Sequence, residues 1–201
     1  MTPGSDPAAN VAPDEDQLAR AGAYSLLGAL LSAPPNGDLL HSLRELPPGD
    51  GLLAPAWDGL GKAAREARPE SMEDEYHALF IGLGRGELVP YASWYLTGFL
   101  MEKPLAQLRA ELRDLGFTRQ EGVAEPEDHA AALCEVMAMT IMENRLSFPE
   151  QSEFFAKHLG SWLPRFFQDL EQADAAVFYA AVGGFGARLM AVEQQYFAMP
   201  V

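Results

Sequence analysis

Five consecutive residues of this chain bring together groups that could do chemistry. Within EGVAEPEDHAAALCEVM, residues 121–137, Glu125, Pro126, Glu127, Asp128 and His129 combine three carboxylates, a proline and an imidazole. Such a set can ligate a metal, form an acid/base pair, start a helix or line a binding surface. Metal sites in helical bundles draw on carboxylates and on Glu-x-x-His pairs that share one helix face. No such pair occurs, since Glu73 with His77 and Glu153 with His158 are four and five positions apart and read as parts of solvated faces. Nucleophilic catalysis needs a Ser or Cys beside an oriented base, and no Gly-x-Ser-x-Gly elbow is present. The glycines of GLGRG, residues 82–86, lack the Gly-Lys-Ser/Thr ending of a phosphate loop and read as a flexible connector.

A helix start accounts for most of the cluster. Glu125 can cap, Pro126 suits the first helical position, and Glu127 and Asp128 favour the positive end of the helix dipole. His129 then falls on the side of Leu133, Val136, Met137 and Thr140, either as a hydrogen-bonded core residue or as part of a groove. A second concentration of side chains follows the glycine segment. PYASWYLTGF, residues 90–99, carries Tyr91, Trp94, Tyr95 and Phe99. These are either inward-packing rings or anchors for a bound peptide, and spacing alone does not separate the two.

The elements that must position these residues read as helices. Asp14 can cap a first helix with an apolar face through Leu18, Ala21, Leu26, Leu27, Leu30 and Leu31, and APPNG at 33–37 ends it. Residues 38–46 and 56–68 suggest two short helices. SMEDEYHALFIGLG, residues 71–84, opens with Ser71 and Asp74 at capping-box spacing and repeats Met72, Tyr76, Leu79, Phe80 and Leu83 at helical intervals. Pro104 fits the first turn of a helix that Gly116 would close. The longest helix is expected over 126–146, followed by 150–158, 162–172 and 175–197, the last capped by Asp174. The expectation is an all-α, compact bundle of about eight to ten helices, with a flexible tail over 1–13 and a single helical domain over 14–201.

Composition narrows the function classes. The 14 basic residues stand against 29 acidic ones, a net charge of −15 that repels a phosphate backbone and disfavours nucleic acid. No apolar run reaches the roughly 18–20 residues of a membrane span, and the N-terminus has no signal-peptide pattern, so a cytoplasmic protein without stable membrane insertion is expected. Cys134 is the single cysteine, which rules out an internal disulfide and a multi-cysteine zinc site. No cofactor, metal or catalytic residue is expected.

EYHALFIGLG, PYASWY and EPEDHAAALCEVM, in this order and at these separations, resemble the TorD/DmsD/NarJ family of redox enzyme maturation chaperones over about residues 17–197. The resemblance implies an all-helical chaperone rather than an enzyme. Its partners would be an apo-molybdopterin oxidoreductase catalytic subunit and that subunit's twin-arginine signal peptide, and it would assist molybdenum cofactor insertion. Carried over by motif, the client-binding residues are Tyr76, Leu79, Phe80, Pro90, Tyr91, Ser93, Tyr95, Glu125, Pro126, Asp128 and His129, with Trp94 and Glu127 added from the same segments. A cationic peptide with an apolar stretch behind it calls for carboxylates beside aromatic surface, which these residues and the acid excess supply. The resemblance implies a monomer or a domain-swapped dimer; neither that exchange nor the GTP binding known in the family is marked by any motif here. A reading from another class, a metal- or nucleotide-dependent helical enzyme using Glu125–His129, rests only on the local density of carboxylates and imidazole.

Overall fold

The structure, a computed structural model, describes residues 13–47, 51–118 and 125–199. The tail expected over 1–13 therefore lies, but for Pro13, outside the described residues. The described residues form ten α-helices: α1 Glu15–Ser32, α2 Gly37–Arg44, α3 Ala54–Glu66, α4 Met72–Tyr76, α5 Ala92–Thr97, α6 Lys103–Asp114, α7 Ala130–Met142, α8 Phe148–Phe154, α9 Leu163–Glu171 and α10 Phe178–Phe197. Single π-helical turns, His77–Ile81 and Phe155–Leu159, extend α4 and α8. No strand occurs among the described residues, so the all-α bundle expected from the sequence is what forms.

Local chemistry explains many of the boundaries. The Asp14 carboxylate accepts from the Gln17 amide at 2.8 Å while the Gln17 side chain accepts from the Asp14 amide, a closed capping box. Asn36 caps α2 by a single bond, its side-chain oxygen accepting the Leu39 amide at 2.9 Å. Prolines occupy the first turns of α3, α6, α8 and α9, where a missing amide costs nothing.

α1 packs along α7, and α10 packs along α9 and α3. One buried apolar cluster draws residues from all ten helices. A buried polar contact fixes α1 against α10: Arg20 forks onto the Glu193 carboxylate at 2.6 and 2.7 Å, and the Tyr24 hydroxyl donates to the same group at 3.1 Å.

Several boundaries depart from the sequence reading. α7 begins at Ala130 rather than 126, because residues 126–129 form a turn closed by the His129 amide on the Pro126 carbonyl at 3.1 Å and bridged to Tyr91, and it ends at Met142; α10 is the longest described helix instead. α10 starts at Phe178, not 175, and Asp174 is not its cap. Its first amides, Val177 and Tyr179, donate to Glu75 at 2.8 Å each, while Glu87 accepts from Asp174 and Ala175. Ser71 does not cap α4 with its side chain, since its hydroxyl donates to the Arg68 carbonyl. GLGRG folds back on the π-helical turn through Gly82 N–H to His77 O at 2.7 Å and Leu88 N–H to Leu79 O at 2.8 Å. Its glycines serve conformation and close approach rather than flexibility: Gly82 has φ +61°, and a Cβ on Gly86 would lie 2.5 Å from the Leu79 carbonyl.

Candidate functional site

The segments 90–93 and 125–129 meet as one unit. Tyr91 and His129 form an isolated antiparallel bridge. Around it the Ala92 amide donates to the Asp128 carbonyl at 2.9 Å, and the Ala130 amide donates to the Pro90 carbonyl at 2.8 Å. The Asp128 side chain then serves α5 from outside that helix: its Oδ2 accepts the Ser93 amide at 2.9 Å and also the Ser93 hydroxyl. Asp128 is 1% exposed, and its Oδ1 has no hydrogen-bond partner. It thus fills the capping role that α5 lacks from its own preceding residue.

His129 occupies the N-cap of α7, accepting the Ala131 amide on Nδ1 at 3.1 Å, and its ring meets Tyr91 edge to face at 5.0 Å. Burial lowers its pKa below the usual imidazole value, against the opposing pull of Glu125 and Asp128. The neutral ring is also the form whose Nδ1 can accept. The helix start anticipated at Glu125–Asp128 is therefore displaced onto His129. Tyr91 donates its hydroxyl to Glu125, and burial together with that carboxylate holds the phenol well above its ordinary pKa.

The third segment, 75–80, is mainly scaffold. Glu75 caps α10, the Tyr76 hydroxyl donates to the Leu31 carbonyl at 3.1 Å, and Leu79 is fully buried. Phe80 is half-buried, packed edge-on to Tyr76 at 5.0 Å and to Tyr179 at 5.5 Å. Tyr76 lies close enough to Glu125 for the carboxylate to help raise its pKa, after burial, so the first segment reaches the junction. What remains accessible there is half of Phe80, Tyr91, Pro126 and Glu127, and exposed Glu125. Glu127 pairs with Arg109 at 2.8 Å.

Trp94 and Tyr95 turn elsewhere. They line a cleft of about 460 Å³ between residues 85–89, α5 and α9. The Tyr95 hydroxyl donates to Asp169 at 2.9 Å, and its ring packs against Trp162 and Phe166. The thirteen residues expected to form one face are thus divided: a buried frame of Tyr76, Leu79, Pro90, Ser93, Asp128 and His129, an accessible part at the junction, and two rings in a separate cleft.

Residues 48–168, more than half of the chain and including all three segments, match the family described as the nitrate reductase delta subunit. The chain belongs to this TorD-like family. A chaperone protein TorD of Vibrio parahaemolyticus is 30% identical over 146 residues, covering 65% of this chain and 68% of that protein. A TorD of Vibrio cholerae serotype O1 is 35% identical over 113 residues, 51% of each. The similarity thus extends over half to about two thirds of these relatives' length. A crystal structure from Archaeoglobus fulgidus, described as a redox enzyme maturation protein, shares the fold with a TM-score of 0.60 at 17% identity, over 92% of this chain and 99% of that one.

In this TorD-like chain no group of three His, Cys, Asp or Glu side chains converges on a metal position among the described residues. His158 is buried rather than on a solvated face, with Nε2 at 2.5 Å from Glu111 and its ring against Phe154. Cys134 lies in the core, where burial pushes its thiol pKa well up and leaves it unreactive. Sequence reasoning passed over Glu75 and Glu87 as caps. Nothing local marks them, because the amides they serve are about a hundred residues away in one case and nearly ninety in the other. It also passed over Arg85 and Arg165, which line the cleft beside Trp94 and Tyr95.

Proposed function

We propose that this protein is a cytoplasmic chaperone for a molybdenum-dependent redox enzyme, holding the apo-enzyme through its twin-arginine signal peptide, its folded core or both while the cofactor is inserted. Membership of a family whose named relatives are TorD chaperones carries this reading. The geometry supports it in one respect: two segments remote in sequence, 90–93 and 125–129, are hydrogen-bonded into one junction that combines aromatic and acidic surface, and Tyr76 of the third lies near its Glu125.

In this reading the client meets Phe80, Tyr91, Pro126, Glu125 and Glu127. Asp128, His129, Ser93 and Pro90 act through the frame that holds those side chains. Guanidinium groups of a twin-arginine segment find carboxylate oxygens at Glu125 and Glu127, and its apolar stretch finds the rings of Tyr91 and Phe80. The Arg109–Glu127 pair is half-exposed and easily exchanged for a client arginine.

Titration with a synthetic twin-arginine peptide tests the signal-peptide form. Glu125→Gln and Phe80→Ala should each weaken binding by about tenfold, as should replacing both peptide arginines by lysine. Unchanged affinity in all three cases, with the variants folded, would overturn it and leave the apo-enzyme core as the client contact.

A further inference from the structure

Most arginines among the described residues are engaged. Arg20 and Arg109 hold carboxylates, and Arg44 and Arg188 hold main-chain carbonyls. Arg85 and Arg165 differ. Both line the 460 Å³ cleft between residues 85–89, α5 and α9, and each rests on a ring face, Arg85 over Trp94 at 5.2 Å and Arg165 over Tyr95 at 6.0 Å. A guanidinium held over an aromatic ring keeps its N–H edge free for a planar oxyanion.

Two acidic side chains share the cleft, and three of their four oxygens already accept from elsewhere. Glu87 takes the amides of Asp174 and Ala175 at 2.6 and 3.0 Å, and Asp169 takes the Tyr95 hydroxyl at 2.9 Å. The charged donors in the cleft are the two guanidinium groups. The cleft is also within the range of roughly 300–1,000 Å³ typical of ligand sites. One end is walled by Leu96, Thr97 and Gly98, and the chain continues directly into Phe99, Leu100 and Met101. Leu96 is 45% and Phe99 69% exposed. A small anion would leave that apolar rim uncovered, whereas a peptide would cover it.

We propose that this cleft binds an acidic peptide segment, with carboxylate side chains on Arg85 and Arg165 and neighbouring apolar side chains on Leu96 and Phe99. The site is separate from the junction at Tyr91 and Glu125, and what it offers a ligand is guanidinium N–H edges where that junction offers carboxylates. Only the ownership of the segment, a client protein, rests on the chaperone reading; the preference for acid does not.

A fluorescein-labelled synthetic peptide of glutamates interspersed with leucine and phenylalanine provides the probe, with anisotropy as the readout. Binding is expected for the full-length protein. The Arg85→Ala/Arg165→Ala double variant should raise the Kd by about tenfold or more, as should glutamine in place of the peptide's glutamates. Both arginines are exposed, so the variant keeps its fold, checked by thermal melting. Equal affinity in the double variant overturns the proposal. So does displacement by inorganic phosphate together with indifference to the peptide's leucines, which marks a small-anion site, or a change in oligomeric state without a change in peptide affinity, which marks a second copy as the occupant. A twin-arginine peptide measured in parallel should bind the double variant as it binds the parent. If that peptide alone fails to bind, the signal-peptide reading falls and the cleft assignment stands.

Discussion

The Asp128 side chain spends Oδ2 on both donors of Ser93, and His129 beside it spends Nδ1 on the Ala131 amide, so two adjacent residues cap two different helices. His129 makes this arrangement sensitive to acid. Its pKa in the folded protein lies below the ordinary 6.5, first because of burial. Between that folded value and 6.5 the unfolded chain binds a proton that the native protein refuses, so the unfolded state gains as pH falls through this window. The contribution is whole above 6.5 and is lost below it. Protonation also removes the lone pair that accepts the Ala131 amide. Thermal melting as a function of pH should therefore show a steeper loss below about pH 6.5 for the parent than for His129→Gln, with parallel curves above it. Identical slopes in acid would mean that the imidazole titrates freely. The presence of EPEDH and PYAS was plain in the sequence. That Asp128 serves Ser93 was not, because the partners lie 35 residues apart and neither has a local signature of the other.

Among the helices, the close approach of α9 and α10 is set by glycines. A Cβ on Gly183 would meet the Glu171 amide nitrogen at 2.5 Å and the Phe167 carbonyl at 2.8 Å, main-chain atoms that cannot turn aside. At the neighbouring Gly184 the nearest atom is the Glu171 side-chain Oε1 at 3.4 Å, which can move. Gly183→Ala should thus cost on the order of 1–3 kcal/mol through overpacking. Gly184→Ala should be neutral or gain up to about 1 kcal/mol from helix propensity. Denaturant melts of the two variants make the comparison, and equal destabilisation would show that packing does not set the helix separation. Helix periodicity in the sequence located α10, but its start was misplaced because the caps are supplied from Glu75 and Glu87, on the far side of the chain. The same holds for α7, whose expected beginning at 126 was overruled by pairing of 125–129 with 90–93. Local signals set helix ends only where no tertiary partner competes for the same amides.

For the whole molecule, a charge of −15 creates a field that draws cationic segments from solution and is screened by salt. Association of a twin-arginine peptide should slow several-fold between about 0.05 and 0.5 M salt, with dissociation changing less, as stopped-flow fluorescence would show. A salt-independent association rate would mean that local contacts alone guide the encounter. What the sequence by itself determined was the helical class, through apolar periodicity and proline and glycine punctuation; the acidic field, through composition; and the identity of three segments that carry the family resemblance. Those are properties of single residues and of neighbours in the chain. Only the tertiary structure decided which members of the segments are frame and which are surface, burying Asp128 and Ser93 while leaving Glu125 exposed. It also placed Trp94 and Tyr95 with Arg85 and Arg165 in a different cleft. Burial and charge pairing are set by what packs against a residue from distant parts of the chain, and spacing along the sequence does not encode that partner.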